Sequence, residues 1–303
     1  MKHIVLTIDR NFARYCAVTM VSALRNDAPQ DLTFHIIAND LAAEDRLALE
    51  ALAHGYGASI YFYAVPGELL EGYSVRWCKK RLSMVVFYRC CLPSVLPAEI
   101  DKVLYIDCDM LVLRPLDELW NTPLDAAALA AAPDSAEQNP KHPERLGYDA
   151  KYNYFNGGML LINLKYWREH NVEQRCKDFY QKYPDRILMN DQDLLNGLLY
   201  DKKVLVDISY NLQEGAYRLP KGKKRDCVPN DIATLRSPGI LHYSGRKPWQ
   251  YHCMHPLRHL FFEYQEFTPW REEYLQRWTT KLHRFVHMLP YTLGLKSEKY
   301  IRL

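Results

Sequence analysis

Two carboxylates stand one residue apart at Asp107 and Asp109, inside the hydrophobic run VLYIDCDMLV (103–112), with only Cys108 between them. Side chains alternate across a strand, so residues two apart share a face and lie about 7 Å from each other along it. Like charges that close repel, and burying them unpaired is costly. A divalent cation relieves both problems, because hard ions such as Mg²⁺ or Mn²⁺ take carboxylate oxygens readily. An isolated Asp-x-Asp is equally compatible with a solvated turn at a strand end. The other polar clusters must decide.

Three of them bear on the question. LHYSGRKPW (241–249) places His242, Gly245 and Lys247 in a short loop after a strand. An imidazole is a good third ligand for Mn²⁺, a glycine lets backbone approach a phosphate, and a lysine can hold a leaving charge. A core histidine and a surface lysine would produce the same letters. NDQD (190–193) puts Asp191, Gln192 and Asp193 at a predicted helix start, where acids also serve as caps and favour the dipole. Asn156 precedes Gly157 and Gly158, a composition typical of turns. Each cluster has an ordinary structural explanation, yet each falls at the end of a predicted element.

The elements that must position them alternate. Strands are predicted at 3–9, 32–38, 59–65 and 103–106, with helices over 11–25, 41–54 and 81–92, the last ending near Pro93. Four alternations in the first 110 residues predict an α/β fold with a mainly parallel central sheet and crossover helices. Ligands sit at the carboxyl ends of such strands, which is where Asp9 and the Asp107/Asp109 pair fall. The second half predicts a buried strand within 154–164, a helix over 165–182, a short helix in 190–201, and strand-like segments at 203–211 and 239–249. Residues 1–262 read as one domain.

Composition narrows the function. The 303 residues suffice for a sizeable core, and a formal net charge of +3 is too small to indicate nucleic-acid binding. Eight cysteines without CxxC spacing suggest neither a zinc ribbon nor a disulfide scaffold, and point to a reducing cytoplasm. The N-terminus reads as a first strand, not a signal peptide, and no run approaches the ~20 apolar residues that span a bilayer. No G-x-G-x-x-G or P-loop pattern is present, so a bound diphosphate would need a metal or basic side chains. Haloacid-dehalogenase-type phosphatases also carry Asp-x-Asp, but there the motif sits on the first strand and continues with Thr or Val after one residue. Here Met110 and Leu111 follow, on the fourth strand.

The segments TIDRNF, FYR, VLYIDCDMLV, YFNGGMLLINL, NDQDLLNG and HYSGRKPW occur in the order found in glycosyltransferase family 8, which the chain resembles from its first strand to about Trp249. This retaining GT-A family includes bacterial lipopolysaccharide α-galactosyl- and α-glucosyltransferases. The resemblance implies a UDP-hexose donor (galactose or glucose), Mn²⁺ or alternatively Mg²⁺, a glycan or glycolipid acceptor of the lipopolysaccharide or lipooligosaccharide type, and retention at the anomeric carbon. It implies Asp107, Asp109 and His242 as metal ligands, and Thr7, Asp9, Asn11, Phe12 and Cys108 as part of the donor site. Asp9, Asn11 and Phe12 would hold uracil and ribose; Phe12 stands where the family often has tyrosine. Arg89, Asn156, Asp191 and Gln192 would surround the hexose, with Gln192 and Asp191 nearest the chemistry. Gly245 and Lys247 would meet the diphosphate. One residue, Arg246, separates these two where the family commonly has two, which makes Arg246 an alternative partner. A self-glycosylating protein like glycogenin belongs to the same family and is the alternative reading.

Residues 263–303 change character. Trp270, Tyr274, Trp278, Leu282 and Phe285 recur among Arg271, Arg277, Lys281 and Arg284, predicting a basic amphipathic helix up to Pro290. Such a helix suits an anionic membrane interface, or else packs on the domain. The family resemblance implies the cytoplasmic face of the inner membrane as that surface. A second basic run, Lys221–Arg225, reads as a solvated loop.

Overall fold

The computed structural model describes residues 1–75, 83–135, 141–219, 231–271, 278–297, 299–301 and 303. The basic run Lys221–Arg225, Tyr274 and Arg277 lie outside the described residues, as does the start of the helix predicted over 81–92.

Among the described residues, ten strands form two sheets. They are β1 (Lys2–Thr7), β2 (Leu32–Ile37), β3 (Ser59–Tyr63), β4 (Lys102–Ile106), β5 (Met110–Val112), β6 (Leu129–Pro133), β7 (Phe155–Asn163), β8 (Lys203–Leu205), β9 (Leu212–Gln213) and β10 (Ile240–His242). The main sheet has the order β3-β2-β1-β4-β7-β6-β8. β1 runs parallel to β2 and β4, β2 to β3 and β6 to β8, while β7 is antiparallel to both its neighbours. The smaller sheet is β5-β10-β9.

Both faces of the main sheet are buried, so its central strands carry runs of consecutive apolar residues instead of alternating with polar ones. Ile4, Leu6, Leu104 and Ile106 face Cys16 and Met20 of the helix Ala13–Asn26 and Leu49 and Leu52 of the helix Ala43–Gly55. Val5, Val103 and Tyr105 point the other way, into a core that holds Phe87, Trp167, Cys176 and Leu195. The six described cysteines (16, 90, 91, 108, 176 and 253) are buried free thiols.

The second half departs from the sequence expectation in several places. Asn156, Gly157 and Gly158 form no turn; they lie inside β7. The helix predicted over 165–182 is two helices, Leu164–Glu169 and Val172–Lys182, broken where Asn171 takes a left-handed conformation that asparagine tolerates. The strand predicted over 203–211 stops at Leu205, and a 3₁₀ turn, Ile208–Asn211, follows. Only Ile240–His242 of 239–249 is strand. Met84–Cys91 is a 3₁₀ helix, and Pro93 sits in the first turn of the short helix Leu92–Val95, where its missing N–H is harmless. The C-terminal helix Trp278–Thr292 runs through Pro290 instead of ending there.

Candidate active site

The chain changes sheets at the acidic pair. β4 ends at Ile106; the Asp107 amide donates to the Gly158 carbonyl of β7 (2.8 Å), still within the main sheet. Two residues later the Asp109 carbonyl accepts from the Tyr243 amide just after β10 (3.0 Å), and β5 begins in the small sheet. The two acids thus stand on a turn at the carboxyl end of β4, not on one face of a continuous strand. β10 brings His242 against them, and one ligand atom from each of Asp107, Asp109 and His242 lies within 4.8 Å of the others.

The set suits a hard divalent cation. Asp109 is walled in by protein, and its Oδ1 has no hydrogen-bond partner among the described residues while facing His242 Nε2 at 3.5 Å. Its Oδ2 accepts from the Lys247 ammonium, which also donates to the Tyr243 carbonyl (2.9 Å). Burial alone would raise the Asp109 pKa, but the Lys247 ammonium beside it holds it well below the usual carboxylate range. His242 Nδ1 lies 2.9 Å from Asn211 Oδ1, and Asn211 Nδ2 donates to Asn156 Oδ1 (2.9 Å). Asn156 Nδ2 in turn donates to Asp134 Oδ2 (3.0 Å). A carboxylate only accepts, so each amide orientation is fixed in sequence, and the imidazole must carry its proton on Nδ1. That leaves the Nε2 lone pair facing the carboxylates, as a metal ligand needs.

A second cluster adjoins the first. Arg89 is buried, bonds Asp107 Oδ1 through Nη2 (2.8 Å), pairs with Asp191 Oδ2 through Nε (3.0 Å) and donates to the Gly157 carbonyl (2.5 Å). Its guanidinium lies 4.2 Å from the ring centroid of Tyr105, whose hydroxyl donates to Asp107 Oδ1 (2.8 Å) and sits 2.9 Å from Thr7 Oγ1. Burial pushes the Asp191 carboxyl up to about 6, against the pull of Arg89. Gln192 donates to Asp134 Oδ2 (3.0 Å) and accepts from the Gly157 amide (2.9 Å). Asp193 is spent elsewhere: Arg145 binds it through two nitrogens at 2.8 Å, and Tyr154 and the amides of Leu188 and Met189 complete its shell.

The structure therefore brings Thr7, Arg89, Asp107, Cys108, Asp109, Asn156, Asp191, Gln192, His242 and Lys247 to one edge of the sheet. Lys247 reaches the Asp109 carboxylate, whereas the Arg246 side chain turns to His252 Nε2 (2.9 Å). Asp9, just beyond β1, accepts from the Asn11 amide (2.9 Å), and Phe12 packs edge-on against Tyr15 and Trp249. Cys108 is buried, with its sulfur 3.9 Å from the Thr7 carbonyl. Gly245 lies against Glu214: a Cβ there would stand 1.4 Å from Glu214 Oε2. Asp134, Asn211 and Glu214 were not foreseen. Their only local signal is position, a polar residue directly after or before a short apolar strand.

The pattern of Glycosyl transferase family 8 matches residues 3–253. General stress protein A of Bacillus subtilis is 29% identical over 276 residues, covering 88% of this chain and 94% of its own. Lipopolysaccharide glucosyltransferase WaaO of Escherichia coli is 29% identical over 271 residues, covering 87% and 77%. The crystal structure of galactosyltransferase LgtC with donor and acceptor sugar analogues superposes with a TM-score of 0.77 at 28% identity, covering 89% of this chain and 99% of that one. That likeness extends to the mixed sheet on whose edge the acidic turn, the β10 histidine and the Arg89 cluster meet. With the family pattern running from β1 to Cys253 and so taking in every one of these residues, the chain belongs to glycosyltransferase family 8.

Proposed function

We propose that the enzyme transfers a hexose, galactose or glucose, from a UDP-sugar to a lipopolysaccharide- or lipooligosaccharide-type glycan with retention of anomeric configuration. The observation that carries this reading is the convergence of Asp107, Asp109 and His242 with Lys247 on one side and Arg89, Asp191 and Gln192 on the other. Mn²⁺, or Mg²⁺, held by Asp107, Asp109 and His242 would neutralise a nucleoside diphosphate. Lys247 adds a cation beside the same carboxylates, placed to stabilise charge on the departing phosphate. Asp9, Asn11 and Phe12, with Thr7 below them, form the uridine end, and Arg89, Asn156, Asp191 and Gln192 the hexose end.

Retention through a covalent intermediate needs a free carboxylate at the hexose. Asp193 is fully bonded, Asp191 is paired with Arg89, and Gln192 offers only an amide. These residues favour front-face attack, in which the leaving phosphate oxygen accepts the acceptor's proton. The test is UDP release from UDP-glucose and UDP-galactose, with Mn²⁺ and with EDTA, beside Asp109→Asn. Turnover of one donor that requires Mn²⁺ and is lost in the variant supports the reading. A folded protein that neither turns over nor binds UDP refutes it.

In this reading residues 1–262 are the catalytic domain, and 263–303 are a segment that meets the cytoplasmic face of a membrane. No helix among the described residues is long and apolar enough to cross one. On the helix Trp278–Thr292, Leu282, Phe285, Val286 and Leu289 form an exposed stripe beside exposed Lys281, continued by Leu293 and Leu295. Arg284 instead donates to the Cys253 carbonyl (2.6 Å) and fixes the opposite side of the helix to the domain. An apolar stripe held outward is the geometry of interfacial binding. Co-sedimentation with anionic vesicles, reduced by Phe285→Glu, checks it.

A further inference from the structure

Glu214 follows directly on β9, whose Gln213 pairs with His242, and its side chain is buried beneath the loop 244–247. Its Oε2 accepts from the Arg246 amide (2.7 Å), and its own amide donates to Ser244 Oγ (3.2 Å). Gly245 lies between these two anchors. The carboxylate crosses the space a side chain at 245 would fill, since a Cβ there would stand 1.4 Å from Oε2 and 2.3 Å from Cδ. The φ of Gly245 is not in the left-handed region, so room is the reason for glycine. The other carboxylate oxygen, Oε1, accepts from Arg218 (2.7 Å) and from the Tyr300 hydroxyl. Tyr300 is placed by main-chain bonds: Leu219 donates to the Lys299 carbonyl and Ile301 to the Tyr217 carbonyl, each at 2.9 Å. One buried carboxylate thus joins the end of the chain to the loop that carries Lys247.

We propose that Glu214 is a positioning residue for the diphosphate end of the donor site, that Gly245 is glycine to admit its carboxylate, and that Tyr300 makes the loop's setting depend on the seated C-terminus. The inference rests on the proposed function in taking the 245–247 loop as the diphosphate side. A buried charged acceptor holds a backbone amide more firmly than a neutral one, so removing either Glu214's charge or its Tyr300 bond loosens the loop.

Two measurements test it. The first needs no ligand: hydrogen exchange of the peptide around Arg246, by mass spectrometry, in wild type, Glu214→Gln, Tyr300→Phe and Lys299→Gln. Tyr300→Phe and Glu214→Gln speed exchange by about tenfold, the scale of one charge-assisted hydrogen bond; Lys299→Gln does not. Wild-type exchange in Tyr300→Phe overturns the link to the C-terminus. The second is UDP binding in MnCl₂ by calorimetry, with wild type, Gly245→Ala, Glu214→Ala and the double variant, each checked for folding by circular dichroism. Gly245→Ala weakens UDP about tenfold or more in the wild-type background and less than twofold once Glu214 is alanine, because residues that share a space are non-additive. Equal losses in both backgrounds mean that the glycine serves the ligand directly, and overturn the role given to Glu214. Failure of the wild type to bind UDP refutes the proposed function instead, while the exchange result still decides the coupling.

Discussion

Gly158→Ala isolates the histidine of the candidate metal set without touching a ligand. Gly158 lies within β7, and a Cβ there would stand 2.6 Å from His242 Cε1 and 2.9 Å from its Nδ1. Carbon atoms in contact prefer about 3.5–4.0 Å, so the ring must retreat by roughly 1 Å. That retreat strains the 2.9 Å contact with Asn211 and carries Nε2 out of the Asp107–Asp109 set, whereas metal–ligand distances tolerate only about 0.2 Å. Disturbing a ligand's orientation lowers metal affinity by ~10–100-fold. Overpacking adds a folding penalty of about 1–3 kcal/mol, which a domain stable by roughly 5–15 kcal/mol survives. Mn²⁺ affinity is read from the paramagnetic resonance of free Mn²⁺, and stability from thermal unfolding in the same buffer. Gly197→Ala is the control: its Cβ would meet the Phe179 ring at 2.6 Å, so it should lose stability and keep its metal affinity. A folded Gly158→Ala protein that binds Mn²⁺ within about twofold of wild type would refute His242 as a ligand, since a disturbed ligand should cost tenfold or more.

Three further outcomes follow from the same contacts. Asn211→Ala removes the acceptor that fixes the His242 tautomer and should weaken Mn²⁺ binding by about tenfold while the fold persists, as calorimetry would show. Arg89→Met strands Asp107 and Asp191 and should destabilise the apoprotein by about 3–5 kcal/mol at pH 7.5 in urea titrations. That deficit narrows as the pH falls toward 6, because Asp191, pushed up to about 6 by burial even beside Arg89, takes its proton at a higher pH once the arginine is gone; a deficit independent of pH would contradict the assignment. Acid should weaken the fold through two buried imidazoles, His255 and His35, which burial pushes down to about 3 and about 4. The unfolded chain binds their protons first, so stability is complete above pH ~6.5 and falls by ~4 kcal/mol between pH 6.5 and 5, two protons over 1.5 pH units. His255→Phe should halve that slope in urea midpoints measured across the range.

The first half of the fold was legible because a single rule governs it: apolar runs of strand length alternate with helical periodicity, and each strand end exposes polar residues. Direction is not written in periodicity, so nothing in FNGGMLLIN marked β7 as antiparallel. Asn156-Gly157-Gly158 reads as a turn by composition, but the structure needs glycine for the Arg89 guanidinium and the His242 ring. The acids and His242 were found because their residue types declare metal chemistry at any separation. Asp134, Asn211 and Glu214 were not, because each acts on a partner 22 to 32 residues away and gives no local sign of it. The break at Asn171 turned on one backbone angle, which a helical pattern conceals.

The crossing of the chain from one sheet to the other at Asp107-Cys108-Asp109 has a mechanical corollary. Asp107 is tied to β7 of the large sheet, and Asp109 and His242 to the small one, so a cation bound by all three would act as a clasp between two separately hydrogen-bonded units. Ligands that bind only the folded form stabilise it in proportion to the logarithm of their occupancy. Here that gain would fall on the seam between the sheets, making the two unfold together when the clasp is fastened and in sequence when it is open.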